Sequence, residues 1–164
     1  MRKKSEDMLS QAFELCEDGN FSEALKVYEE VIKTDPKNIN ALIDKAVTLQ
    51  NLGNVNKAIP LYDKVLKINP KNIDALLNKG SALHTVKKYS EAIKCYDLAI
   101  RLDKKCVMAL AYKGLSLGEL GNLREAIKHF KKALDIDQNF DLANISKKQA
   151  QDLLKKSRKK VKTL

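Results

Sequence analysis

The side chains that most readily do chemistry are few in this chain of 164 residues. Cys16, Cys95 and Cys106 are not spaced as metal ligands, and three thiols cannot all pair into disulfides. His84 and His129 lie far apart, and no glycine-rich phosphate loop, HExxH motif or nucleophile elbow accompanies them. We therefore expect no catalytic site, no metal site and no cofactor.

A run of cations near the C-terminus is the second chemically distinctive feature. It consists of Lys155, Lys156, Arg158, Lys159, Lys160 and Lys162. Of the net charge of +10, residues 141–164 contribute +6, residues 1–4 contribute +3, and residues 5–140 only +1. A run of this kind can bind nucleic acid or an anionic membrane surface. It is equally typical of a solvated tail whose cations suit the end of a helix dipole, so all three interpretations stay open.

The location of the protein is suggested by the cysteines and the first residues. Met1–Asp7 carry positive charges with no apolar stretch after them, so no secretory signal is expected there. No run approaches the roughly 18 apolar residues of a membrane span. Free thiols are typical of a reducing compartment, so we expect a cytoplasmic protein.

The elements that position these residues follow a repeat of 34 residues. Alanines recur at this period: Ala24, Ala58, Ala92 and Ala126. An aromatic residue follows each alanine by four positions: Tyr28, Tyr62, Tyr96 and Phe130. A fixed period is the signature of a stacked array in which each unit buries its apolar face against its neighbours. We expect the aromatic residues to lie between helices, in the core.

Each repeat is predicted to contain two amphipathic helices. In the first helices, large, small and large residues recur at i, i+4 and i+7: Met8/Ala12/Leu15, Leu42/Ala46/Leu49, Leu76/Gly80/Leu83 and Leu110/Gly114/Leu117. A turn with Gly19, Gly53 or Gly121 separates the helices in three repeats. Lys87 replaces this glycine in the third repeat, where we expect a strained or differently shaped turn. Lys45, Lys79 and Lys113 precede the small residue and should lie along the core edge with their charges in water.

With these features in register, the chain resembles a tetratricopeptide repeat protein. The resemblance covers residues 5–140 as the units 5–38, 39–72, 73–106 and 107–140. It implies an all-α fold, a right-handed superhelical array of four helix–turn–helix repeats. A basic tail is expected at 1–4, a C-terminal capping helix at 141–156 and a second basic tail at 157–164.

The resemblance also implies that the first helices line a concave groove. The groove residues would be Leu9, Phe13, Ile43, Asp44, Val47, Leu77, Asn78, Ser81, Tyr112 and Leu115. Family members that hold chaperone C-termini use lysine, asparagine and arginine as a clamp for two carboxylates. Asp44 and Asp74 occupy places where that clamp needs other residues, so charge repulsion disfavours this role.

The groove composition favours an apolar or amphipathic segment of another protein as the ligand. We therefore expect a non-enzymatic scaffold or adaptor. Cover of the groove by neighbouring helices or by the chain's own C-terminus stays open, and self-association is a further candidate. The leading alternative is an accessory protein that binds nucleic acid or an anionic membrane through its basic C-terminal tail.

Overall fold

A computed structural model describes the backbone of residues 2–162 and the side chains of residues 3–157. Across this range the chain forms nine α-helices and no strand, which confirms the all-α prediction. The helices are α1 Arg2–Glu17, α2 Phe21–Thr34, α3 Ile39–Asn51, α4 Val55–Ile68, α5 Ile73–Thr85, α6 Tyr89–Leu102, α7 Val107–Glu119, α8 Leu123–Ile136 and α9 Asp141–Lys162. From α2 onward, helices of the same kind begin 34 residues apart.

The turn inside each repeat is closed by one residue in the left-handed backbone conformation. Gly19, Gly53 and Gly121 have φ of 78°, 77° and 78°, a region that costs glycine little because it has no Cβ. Lys87 takes the same place with a φ of 62°. Its N–H donates to the carbonyl three residues back at 2.9 Å, the distance found at Gly53. The third turn is therefore strained, but its shape is not different.

The chain divides into two compact units, Met1–Ala82 and Leu83–Leu164, here called unit 1 and unit 2. In each unit the aromatic residues of the second helices lie in the core, since Tyr28, Tyr62, Tyr96 and Phe130 are at most 2% exposed. In unit 2 the core around Phe130 also includes Ala143 and Ala150 of α9. Helix α9 thus covers the apolar side of the last repeat.

Both ends of the chain differ from the expected boundaries. Helix α1 begins at Arg2, so residues 2–4 of the expected basic tail belong to this helix. Helix α9 runs to Lys162, six residues beyond the predicted end of the capping helix at 156. The basic residues at both ends therefore extend helices, which fits the high helix propensity of lysine and arginine.

The lysines at the core edge have specific partners within the units. Lys45 Nζ lies 2.9 Å from Glu29 Oε1, and Lys79 Nζ lies 2.6 Å from Asp63 Oδ1, both in unit 1. In unit 2, Lys113 Nζ lies 2.6 Å from Asp97 Oδ1. Each pair joins a second helix to the following first helix. These lysines do not form a free basic stripe, because each has a carboxylate beside it.

Candidate peptide-binding surface

A shallow depression lies between α1 and α3 in unit 1. It has a volume of about 350 Å³. Its lining residues are Leu9, Ser10, Phe13 and Glu14 from α1, with Asn40 and Asp44 from α3. Leu9, Phe13 and Asp44 were among the residues predicted from the repeat register. Glu14 was not, although its place four residues after Ser10 puts it on the same side of the helix.

Phe13 is the most exposed large apolar residue described in the chain. It is 62% exposed, whereas the neighbouring Ala12 is fully buried. Leu9 is half-buried and packs against the cluster formed by Ala12, Ala24 and Tyr28. The depression therefore has a fixed apolar wall in Leu9 and an aromatic ring in Phe13 that water surrounds. A ligand that covers this ring would remove apolar area from water.

The other predicted residues of unit 1 are less available than expected. Leu77, a predicted groove residue, is only 8% exposed and therefore offers little apolar surface to a ligand. Ile43 is partly buried against Leu42, Val65 and Ala75. Helix packing between adjacent repeats thus covers much of the apolar surface that Ile43 and Leu77 were expected to form.

Three further predicted residues of unit 1 are half-buried: Val47, Asn78 and Ser81. The hydroxyl of Ser81 accepts a hydrogen bond from Gln50 Nε2 at 3.3 Å. These residues lie outside the lining of the α1–α3 depression.

In unit 2, the predicted residues Tyr112 and Leu115 are also half-buried. Leu115 packs against the core of α7, α8 and α9, and the Tyr112 ring lies 5.9 Å from the ring of Tyr96. Among the exposed apolar side chains of unit 2 are Met108 on α7, at 43%, and Ile145 on α9, at 58%. Ile145 was not predicted as a surface residue, although it occupies the same place in the 34-residue register as the predicted groove residues Leu9, Ile43 and Leu77.

Asp44 is the electrostatically distinctive residue of the depression. Burial raises the pKa of its carboxyl above the ordinary value. Its backbone carbonyl accepts the hydroxyl of Thr48 at 2.8 Å. Among the residues with described side chains, its carboxylate has no hydrogen-bond or ion-pair partner, in contrast to Glu29 and Asp63. The depression thus combines an exposed ring with a partly desolvated, unpaired carboxylate.

Polar residues near the C-terminal ends of the first helices lie beside the hydroxyl groups of the core tyrosines. In unit 1, Tyr62 OH donates to Gln50 Oε1 at 3.2 Å, and Tyr28 OH lies 3.7 Å from Cys16 Sγ. Cys16 and Tyr28 are 12 residues apart, as are Gln50 and Tyr62. In the fourth repeat the residue 12 positions before the aromatic is Gly118, and the aromatic is Phe130, which has no hydroxyl to satisfy.

Burial lowers the pKa of both histidines. His84 Nδ1 lies 2.9 Å from the buried Ser116 Oγ, and burial lowers the pKa of His84. His129 Nδ1 on α8 is buried and has no hydrogen-bond partner among the described residues. Burial, with the nearby charges of Lys113 and Lys132, lowers the pKa of His129 to about 4.

The low pKa of His129 predicts an acid-dependent loss of stability. The pKa of histidine in an unfolded chain is about 6.5. Below that pH the unfolded chain binds a proton that the folded chain does not bind. Stability contributed by neutral His129 is present above this pH and is lost as the pH falls towards about 4. Allowing for partial solvent screening, we expect a loss of roughly 1–2 kcal/mol.

This effect can be measured by urea unfolding of wild type and His129→Leu. The pH range is roughly 7.5 to 4, which spans the pKa values of the unfolded and the folded histidine. The free energy of unfolding of His129→Leu should fall less steeply than that of wild type. Parallel profiles for the two proteins would contradict the assignment.

The basic C-terminal segment, residues 155–162, belongs to α9. Lys155 is 76% exposed at its side chain and lies 3.9 Å from Asp152. Lys156 is exposed. Arg158, Lys159, Lys160 and Lys162 lie outside the residues with described side chains. Unit 2 carries 19 Lys/Arg and 9 Asp/Glu, a net charge of +10, whereas unit 1 carries 12 of each and is neutral.

Two family models match the chain. The model described as "Anaphase-promoting complex, cyclosome, subunit 3" matches residues 17–99, about half of the chain. The model described as "Tetratricopeptide repeat" matches residues 107–140, which are the fourth repeat. The chain belongs to the tetratricopeptide repeat family. Proteins of this family are generally protein–protein interaction scaffolds and are typically non-catalytic.

Solved structures show the same fold. The crystal structure of a MamA protein is 25% identical, with a TM-score of 0.82 over 93% of this chain and 83% of that one. MamA from Desulfovibrio magneticus RS-1 is 23% identical, with a TM-score of 0.76 over 98% and 96%. A tetratricopeptide repeat protein from Parabacteroides merdae is 20% identical, with a TM-score of 0.78 over 88% and 57%. No curated protein sequence matches the chain.

The residues that the structure describes contain neither a metal cluster nor a membrane-spanning helix. No group of three His, Cys, Asp or Glu side chains within them is placed to hold a metal ion. Among the helices they form, none is both long and apolar enough to cross a membrane.

Proposed function

We propose that this protein is a scaffold or adaptor that binds an apolar or amphipathic segment of another protein at the α1–α3 depression of unit 1. The observation that carries the proposal is Phe13, an aromatic ring 62% exposed beside the half-buried Leu9. Aromatic side chains are enriched among the residues that dominate binding energy at protein interfaces. A family model named for a subunit of a multi-protein complex supports the same class of function.

The depression suits one short segment better than a globular surface. Its volume of about 350 Å³ lies at the small end of the range of binding pockets. Ser10 and Asn40 on its rim offer hydrogen-bond groups to a peptide. One or two apolar side chains of a helical or extended segment could therefore fill it while the polar rim meets the peptide backbone.

Substitution of Phe13 by serine tests this proposal. Burying a phenylalanine ring contributes about 1.5–3 kcal/mol, so Phe13→Ser should weaken binding about tenfold to a hundredfold. Affinity capture from native lysate should then lose the partner. Because Phe13 is mostly outside the core, the variant should keep the helix content and unfolding midpoint of wild type.

Two further proteins make the experiment decisive. Ile68→Ser changes an apolar residue of unit 1 that is 39% exposed and does not line the depression, so partner recovery should be unchanged. A chain lacking residues 155–164 tests the alternative that the basic segment acts on nucleic acid or an anionic membrane, which the charge of unit 2 favours. Loss of the partner with this truncation, but not with Phe13→Ser, would support the alternative and contradict the proposal.

A further inference from the structure

The depression between α1 and α3 has a charge pattern as well as an apolar anchor. Residues 5–18 contain five acidic residues and no lysine or arginine. One of the five, Glu14, lines the depression next to Phe13, and Asp44 faces it from α3. The apolar ring is thus accompanied by two carboxylates from two different helices.

Asp44 differs from Asp63 and Glu29, the carboxylates of unit 1 that pair with a lysine of the following first helix. Asp63 is held at 2.6 Å by Lys79, and Glu29 at 2.9 Å by Lys45. Asp44 is also partly withdrawn from water, but no cation lies beside it among the described side chains. A desolvated carboxylate without a partner is unfavourable, and a ligand cation would supply the missing interaction.

We propose that the segment bound at this depression carries a lysine or arginine beside its apolar anchor, and that Asp44 pairs with this cation. The inference rests on the function proposed above, because it names the chemistry of the ligand at the same site. Phe13 and Leu9 contact the apolar residue, Asp44 receives the cation, and Glu14 adds a second negative charge at the rim.

The charge of the whole chain makes this preference testable. The net charge of +10 repels cationic ligands and attracts anionic ones at long range. Nonspecific attraction would therefore favour an acidic peptide. Unit 1 itself is neutral, so a preference for a basic peptide has to come from its local carboxylates, which are Asp44, Glu14 and the other acidic residues of 5–18.

The test uses three short, dye-labelled amphipathic peptides with the same leucines and with lysine, glutamine or glutamate at every polar position. Fluorescence anisotropy measures their affinities for wild type, Asp44→Asn, Asp18→Asn and Phe13→Ser. The lysine peptide should bind wild type most tightly and the glutamate peptide least tightly. Asp44→Asn should weaken the lysine peptide about tenfold or more and leave the glutamine peptide unchanged. Asp18→Asn is the matched control, because it removes the same charge from an exposed residue outside the lining.

The outcomes separate the ligand's charge from the function itself. If the lysine and glutamine peptides bind equally and both depend on Phe13, the proposed function stands and the role of Asp44 is wrong. If no peptide binds, both proposals are overturned. If light scattering shows that wild type self-associates and Phe13→Ser does not, the depression is occupied by a second copy of the chain, which overturns the inference of a separate basic partner.

Discussion

Truncation of Phe130 to alanine should lower the free energy of unfolding by about 3–5 kcal/mol, the range measured for buried aromatic residues. Phe130 is 2% exposed in a cluster with Ala126, Ala133 and Leu134, and Ala143 of α9 joins the same cluster. Removal of the ring deletes contacts to α7, α8 and α9 together. The small residues around it cannot extend into the space, so a cavity should remain.

Urea unfolding followed by circular dichroism measures this loss. Ile136→Ala is the matched control, since Ile136 lies on the same helix but is 41% exposed. The control should cost under about 1 kcal/mol, because much of the side chain already contacts water. Equal losses for the two variants would show that Phe130 does not hold the core of unit 2.

The second large effect is a change in the free energy of unfolding that has opposite signs when two glycines of α7 are replaced by alanine. A Cβ at Gly114 would lie 2.6 Å from Phe130 Cε1, 2.8 Å from Cδ1 and 3.0 Å from Cζ. A Cβ at Gly118 would meet nothing within 4 Å. Alanine in a helix is favoured over glycine by about 0.5–1 kcal/mol. Gly118→Ala should therefore stabilise the protein by this amount.

Gly114→Ala receives the same helix benefit but must displace the ring of Phe130. Overpacking a dense core costs about 1–3 kcal/mol, so we expect a net loss of about 1–2 kcal/mol. Ala12 and Ala46 occupy the same register in unit 1, and both are fully buried. At this register the first two repeats therefore have room for a Cβ, whereas a Cβ at Gly114 would overlap the ring of Phe130. Denaturant midpoints that shift upward for both variants would contradict this account.

The fold could be predicted from the sequence because the 34-residue period fixes the same helix–turn–helix unit four times. Each position is constrained by its equivalents, so Tyr28, Tyr62, Tyr96 and Phe130 could be placed in the core together. The structure of the two chain ends could not be predicted in this way. Residues 2–4 and 157–162 have no internal equivalents, and lysine-rich sequence is compatible with a solvated tail or an extended helix.

The candidate site could be predicted only in part. The register places Leu9, Phe13 and Asp44 on two neighbouring first helices, and all three line the depression. It indicates which side of a helix a residue lies on, but not how far its side chain is exposed. Leu77 is equivalent to Leu9 and yet is buried, because exposure depends on how adjacent helices pack. The unpaired state of Asp44 also depends on which lysines reach which carboxylates, and that is decided by side-chain geometry between helices.

Binding of a partner segment at the surface around Phe13 can be measured directly by crosslinking. The most direct measurement places a photo-activated benzophenone amino acid at position 13, and at position 68 as the control, in the full chain. After irradiation in native lysate, mass spectrometry identifies the attached peptides. We expect one recurrent segment at position 13, apolar and with an adjacent lysine or arginine, and its absence at position 68. The same scattered peptides at both positions would contradict it.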